Sequence, residues 1–186
     1  MCKCKLIIVF CFVCSYIFGQ KDLKFNSKND YLNFLEKKFD IEKNNVHSYE
    51  AHNDSTFLGK YSSVIFLRGT KITTIEEVRN IDNNICPPKK FFSNLSIEKI
   101  EKSFTDDKKL KSIFFKNLYD NSIIVSNEDL IAIFLFSYKL GNSGLQYYKQ
   151  KHFLEKLNIK CIVLTIDEAD VVELQNSNST KVVIKK

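Results

Sequence analysis

The side chains best equipped for covalent chemistry in this 186-residue chain are six cysteines, Cys2, Cys4, Cys11, Cys14, Cys86 and Cys161. The first four make a C-x-C and a C-x-x-C spacing, which would suit a metal or a redox couple if folded, aqueous structure and further ligands surrounded them. They lie instead within MCKCKLIIVFCFVCSYIFGQ, where Lys3 and Lys5 precede an almost unbroken apolar run from Leu6 to Phe18, and Gly19 offers a small residue to a peptidase. That layout predicts a secretory signal peptide over residues 1–19, with the mature chain starting at Gln20. A retained transmembrane anchor would need about 17–25 apolar residues. A lipoprotein reading would use Cys11 or Cys14, but Phe10 and Val13 stand where lipid-attachment sites carry a small residue. After cleavage only Cys86 and Cys161 remain, in a compartment where disulfides persist. Three readings of that pair stay open: a structural disulfide, two inert thiols, or a separated redox couple. Cys161 sits inside a strand pattern, where cysteine behaves as a small buried hydrophobe. Cys86 lies in a loop beside Pro87 and Pro88 and could reach it.

The other candidate groups are weaker. His47, His52 and Asp54 have loose metal-ligand potential, yet two histidines five apart on an irregular segment fix no common face, and no third ligand is identifiable. They read as surface residues, and His152, between Lys151 and Glu155, reads as solvated. No Ser-His-Asp order is recognisable, and no paired carboxylates stand in environments that would separate their pKa values for acid–base work. The sequence therefore predicts no catalytic residue, no metal and no cofactor. Lys139-Leu140-Gly141-Asn142-Ser143-Gly144 is the remaining motif. Backbone N–H groups at a helix start, freed by two glycines, can cradle a phosphate or carboxylate. The plainer account is a tight strand-to-helix turn with Asn142 or Ser143 as N-cap, since the motif is neither a P-loop nor G-x-G-x-x-G.

Charge narrows the partners. The chain carries 28 basic and 22 acidic residues, and loss of the two signal lysines takes the formal net charge from +6 to +4. Arg68 and Arg79 are the only arginines. Bidentate guanine contacts favour arginine, so neither composition nor an exported location suits nucleic-acid binding. A protein or peptide partner fits better, with no stable membrane insertion once the signal is gone.

The elements that must position these groups follow from periodicity. Ser27 or Asn29 caps a helix to about Phe39, with Tyr31, Leu32, Leu35 and Phe39 on one face. Val46–Glu50 and Ser63–Leu67 read as strands. Thr73-x-x-Glu76 and Thr74-x-x-Glu77 both have capping-box spacing, and Pro87-Pro88 breaks regular structure. Ser96 opens a helix through Ile97, Ile100 and Phe104. A second helix follows Asp106-Asp107, with Leu110, Ile113, Phe114 and Leu118 facing one way. Ile123–Val125 and Leu130–Phe136 read as strands, Leu145–Leu157 as a helix, and Cys161–Ile166 as a strand. Asp170–Leu174 and Lys181–Ile184 read as a β-hairpin at the end of the chain. Leu130–Phe136 and Cys161–Ile166, joined by a helix-length connection, are expected to pair in parallel at the sheet centre.

Residues Ile131 to Asp167 resemble the central βαβ of thioredoxin-like proteins. A buried strand ends in the aromatic Phe136, a short turn follows, then a helix, then a strand closing on Ile166-Asp167. Leu140 and Ser143 fall where that family has its two redox cysteines. The family's cis-proline after the second strand has no counterpart, and only residues 168–186 follow Asp167. The resemblance implies a single α/β domain over residues 20–186, a thioredoxin-like variant with a mixed sheet, parallel central strands, flanking helices and a terminal β-hairpin. It also implies a redox-dead scaffold, because leucine supplies neither the thiolate nor the resolving thiol of dithiol exchange. Two functions remain: an exported, periplasmic or secreted binding module of the cell envelope, or a thiol-disulfide oxidoreductase or peroxidase relative using Cys86 or Cys161.

Overall fold

The computed structural model describes residues 23, 25–51, 63–81, 87–107, 113–125 and 129–167. The signal segment, Cys86, His52, Asp54 and the expected hairpin lie outside them.

Eight strands form one mixed sheet. In chain order they are β1 Val46–Ala51, β2 Val64–Arg68, β3 Lys71–Thr74, β4 Thr105–Asp106, β5 Ile113–Asn117, β6 Ile123–Val125, β7 Ile131–Phe136 and β8 Lys160–Thr165. Across the sheet the order is β4-β3-β2-β7-β8-β1-β5-β6. Only β7–β8 and β8–β1 pair in parallel; the other pairings are antiparallel. Five short α-helices are described: α1 Lys28–Phe39, α2 Ile75–Ile81, α3 Pro88–Ser93, α4 Ile97–Lys102 and α5 Lys151–Glu155.

This corrects the fold expectation. The sheet is predominantly antiparallel and its described helices are short, so the chain is not a thioredoxin-like variant with flanking helices. β7 and β8 do lie side by side in parallel, with Ile131 opposite Lys160 and Phe136 opposite Thr165. Their connection, however, is not one helix over 145–157. It runs through 3-10 turns at Tyr138–Leu145 and Tyr148–Gln150 into the short α5. Gly141, at φ 56° and ψ −140°, breaks the first of these, a conformation glycine adopts at no steric cost. The helix expected after Asp106-Asp107 does not extend through the described part of its span: Ile113–Asn117 is β5, paired with β1 and β6.

Elsewhere local signals operate as their chemistry dictates. The Ser27 hydroxyl accepts the Asp30 N–H at 3.1 Å and caps α1. Of the two capping boxes the chain uses Thr74 and Glu77: each accepts the other's backbone N–H, at 3.3 and 2.7 Å. Pro88 opens α3, a position where its missing N–H costs nothing.

Alternation sorts the strand residues onto two faces. On the first, Val64, Phe66, Ala132, Phe134, Phe136 and Val163 pack against Tyr31, Leu35, Phe92, Ile100 and Leu154 from the helices. On the second, Ile65, Leu67, Ile72, Phe115, Ile131, Ile133, Ile162 and Leu164 form a separate cluster, each at most 1% exposed. No described helix contributes a residue to that cluster. Asp107, held by Thr70 at the β4 edge, is six residues from Ile113 in β5, a reach of at most about 22 Å. Six strand spacings in a flat sheet would separate them by roughly 29 Å. The sheet therefore curls rather than lying flat.

Candidate functional site

The predicted ligand turn stands at the carboxyl ends of β7 and β8, where α/β sheets with parallel strands place ligands. It rests on a buried polar hub. Asp167, 4% exposed, accepts a hydrogen bond from the Ser137 hydroxyl at 2.5 Å on Oδ1. Its Oδ2 accepts from the Tyr31 hydroxyl at 3.0 Å and from the Tyr138 N–H at 2.8 Å. With the Tyr31 proton committed to that carboxylate, Thr165 donates to the phenol oxygen at 2.5 Å and accepts the Asp167 N–H at 3.2 Å. Asp167, Thr165 and Tyr31 thus close a ring of hydrogen bonds, linking α1 to the ends of both parallel strands. Burial, and then the Asp167 carboxylate beside it, raise the Tyr31 pKa well above the ordinary phenol value, so the hydroxyl stays a donor.

The hub decides what the turn can bind. The Tyr138 N–H is on Asp167, the Lys139 N–H on Ser137 Oγ at 3.1 Å, and the Leu140 N–H on the Ser137 carbonyl at 3.1 Å. The chain thereby supplies its own anion to the start of the turn, and Ser137, rather than Asn142 or Ser143, caps it. Lys139 and Leu140 are exposed, Leu140 at 56%, and Gly141 is half-buried. Ser137 has no histidine base within its hydrogen bonds; its hydroxyl is spent on the carboxylate, so the hub positions the turn and is not a nucleophilic site.

Cys161 projects to the helical face on β8, half-buried against the first cluster. Its thiol is free. Burial, followed by the nearby Glu155 carboxylate, pushes its pKa up to about 12, so at neutral pH it is neither a nucleophile nor a metal-ligating thiolate.

His47 corrects the surface reading. It is 2% exposed on β1, facing the second cluster beside Leu164. Its Nδ1 donates to the Asn45 carbonyl at 2.9 Å and its Nε2 accepts from Asn117 Nδ2 at 3.5 Å. Burial lowers its pKa, against the Asn45 carbonyl, which raises it. Asn117 also accepts the Tyr119 N–H at 2.7 Å, so this pair holds the β5–β6 turn. His152 is exposed. Among the described residues no three metal-ligating side chains converge, and no helix is long and apolar enough to cross a membrane.

Sequence reasoning missed the hub. Tyr31 was legible only as part of an apolar helix face; the usable signal was a polar pair, Ser137 and Asp167, each just beyond the end of a largely apolar strand.

Fold and site together define a class: a mixed α/β protein whose described helices pack on one sheet face and whose turn after β7, capped by Ser137, is tied to a buried carboxylate. No family model, curated protein or solved structure matches the chain.

Proposed function

We propose that this chain is exported and acts outside the cytoplasm, periplasmic or secreted, as a redox-inactive binding module of the cell envelope, contacting a protein or peptide partner. The observation that carries the reading is the turn after β7. It is tied to the buried Asp167 by two hydrogen bonds, from the Ser137 hydroxyl and the Tyr138 N–H, and presents Leu140 to solvent. Rigid support beneath an exposed apolar side chain suits recognition. The signal-like N-terminus supplies the location, and fold by itself supplies no function.

The rival reading, a thiol oxidoreductase or peroxidase relative, draws no support from Cys161 and now depends on Cys86 alone. Insulin reduction by the mature protein separates the two. The binding reading expects no turnover, and Cys161 left unmodified by a thiol reagent at pH 7. Turnover lost in Cys86→Ser would establish the rival. Intact-mass analysis of the exported protein is expected to show loss of residues 1–19, and a retained N-terminus in the membrane fraction would refute export.

A further inference from the structure

The β5–β6 turn hangs from one buried amide, and the imidazole beside that amide can reverse its hydrogen-bonding sense with a single proton. Asn117, 3% exposed, ends β5, and His47, 2% exposed, lies opposite it on β1. Asn117 Oδ1 accepts the Tyr119 N–H at 2.7 Å and the Asp120 N–H at 3.3 Å. Its Nδ2 donates to the Asn44 carbonyl at 2.6 Å and points at His47 Nε2, 3.5 Å away. Two N–H donors at one end and a carbonyl at the other fix which way the amide faces. The Asn45 carbonyl, which can only accept, likewise fixes the imidazole proton on Nδ1, at 2.9 Å, and leaves Nε2 bare.

Protonation reverses Nε2. An imidazolium donates from both nitrogens, so an N–H would then face the amide's own N–H groups in a site nearly closed to water. A half-turn of the amide removes that conflict by offering Oδ1 to Nε2. It also takes Oδ1 away from Tyr119 and Asp120 and Nδ2 away from the Asn44 carbonyl. The end of β5 is held by other bonds, from the Asn117 N–H to the Ser122 carbonyl at 2.8 Å and from the Leu118 N–H to the Val46 carbonyl at 2.9 Å. What is let go is therefore the turn beyond them.

The surroundings set where this happens. Burial weighs most against a charge on the ring, Lys160 on β8 also opposes it, and Asp120 in the turn favours it. Lys43, in the 3-10 turn before β1, is engaged with Glu36 at 3.5 Å. Lys116 alternates to the opposite side of β5 from Phe115 and Asn117. The ring thus takes up its proton below the ordinary value of about 6.5.

We propose that His47 and Asn117 form a proton-operated latch, in which a proton taken up at Nε2 turns the Asn117 amide over and frees the Tyr119 and Asp120 N–H groups. Tyr119 and Ile123, 58% and 59% exposed, stand on either side of the turn, so acid alters the apolar surface that this hairpin presents. The inference is independent of export and of the role proposed for the turn after β7.

Hydrogen exchange followed by NMR on the whole protein tests it, each amide rate being compared with that of an unstructured peptide at the same pH. From pH 7 to pH 4.5 the protection of the Tyr119 and Asp120 amides is expected to fall at least tenfold, with the midpoint shown by the His47 ring signals. Leu118 should keep its protection. In His47→Gln the protection of the two turn amides should no longer follow pH. Asn117→Asp places a carboxylate that can accept from the imidazolium and from the turn at once, so it should raise the His47 midpoint and leave both amides protected throughout. Constant protection in the natural chain across the His47 titration would overturn the proposal. So would a fall that persists in His47→Gln, a joint loss that includes Leu118, or a His47 midpoint in Asn117→Asp no higher than the natural one.

Discussion

On its helical face the sheet packs rings against rings; on the other it packs aliphatic side chains almost alone. Phe39 meets Phe136 edge-on with centroids 5.1 Å apart, and Phe134 meets Tyr148 at 5.5 Å. The second face has Phe115 among isoleucines and leucines. Each face buries one polar hub as well, Asp167 with Tyr31, Thr165 and Ser137 on the first, His47 with Asn117 on the second. Edge-to-face rings and charge-assisted hydrogen bonds are directional, so the first face fixes where α1 and the turn sit. Aliphatic packing is satisfied by volume. The exposed turn therefore belongs to the more rigidly specified side of the molecule.

The largest way to break that contrast is truncation in the ring layer. Phe134→Ala is expected to cost about 4 kcal/mol in urea unfolding, because the helices above it cannot collapse into the void without losing their own ring contacts. Ile133→Ala, one residue along on the other face, should cost about 3 kcal/mol, since a curled sheet can tighten partway around a smaller side chain. A larger loss at Ile133 would mean that the second face is the more constrained one.

Next comes the hub. Asp167→Ala leaves the Ser137 and Tyr31 hydroxyls and the Tyr138 N–H buried without their acceptor, and about 3 kcal/mol should be lost. Tyr31→Phe removes one of three donors to a carboxylate that keeps two, with an expected cost near 1 kcal/mol. Because these groups act in one ring, the double variant should be markedly less unstable than the sum of the singles. Additive costs would show that the ring is not a unit.

What was legible in the sequence was what adjacent residues decide. Ser27 caps α1, Thr74 and Glu77 start α2, and two uniformly apolar runs pair in parallel because the intervening chain is long enough to cross over. What was illegible depended on distant partners. Leu110, Ile113, Phe114 and Leu118 have helical spacing, yet β1 offers an open edge some 65 residues earlier, and Ile113–Asn117 pairs with it. A helix over 145–157 has an apolar face, yet the chain there takes a 3-10 turn at Tyr148–Gln150 before the short α5, with Tyr147 and Tyr148 buried by packing against distant parts of the first cluster. The hub needed residues 31, 137, 165 and 167 together, and no local period links them. Five of the seven strand pairings proved antiparallel for the same reason: pairing partners are chosen by tertiary packing.

The smallest expected effect is the second face's hub, and it is read through pH. Burial lowers the His47 pKa in the folded protein, whereas in the unfolded chain the imidazole titrates near its ordinary value of about 6.5. Below that pH the unfolded state takes up a proton that the folded state refuses, so acidification favours unfolding. The stabilising contribution is complete above about pH 6.5 and is lost as pH falls toward the folded value, with a slope that cannot exceed about 1.4 kcal/mol per pH unit for one proton. His47→Gln keeps an amide able to bond Asn45 and Asn117 but removes the titration. Unfolding free energies measured from pH 8 to pH 5 should therefore fall more steeply below pH 6.5 for the natural chain than for the variant. The two curves should run parallel above that pH. Parallel curves throughout would mean that His47 accepts a proton equally well in both states, and that the second face holds its polar pair less tightly than the first holds Asp167.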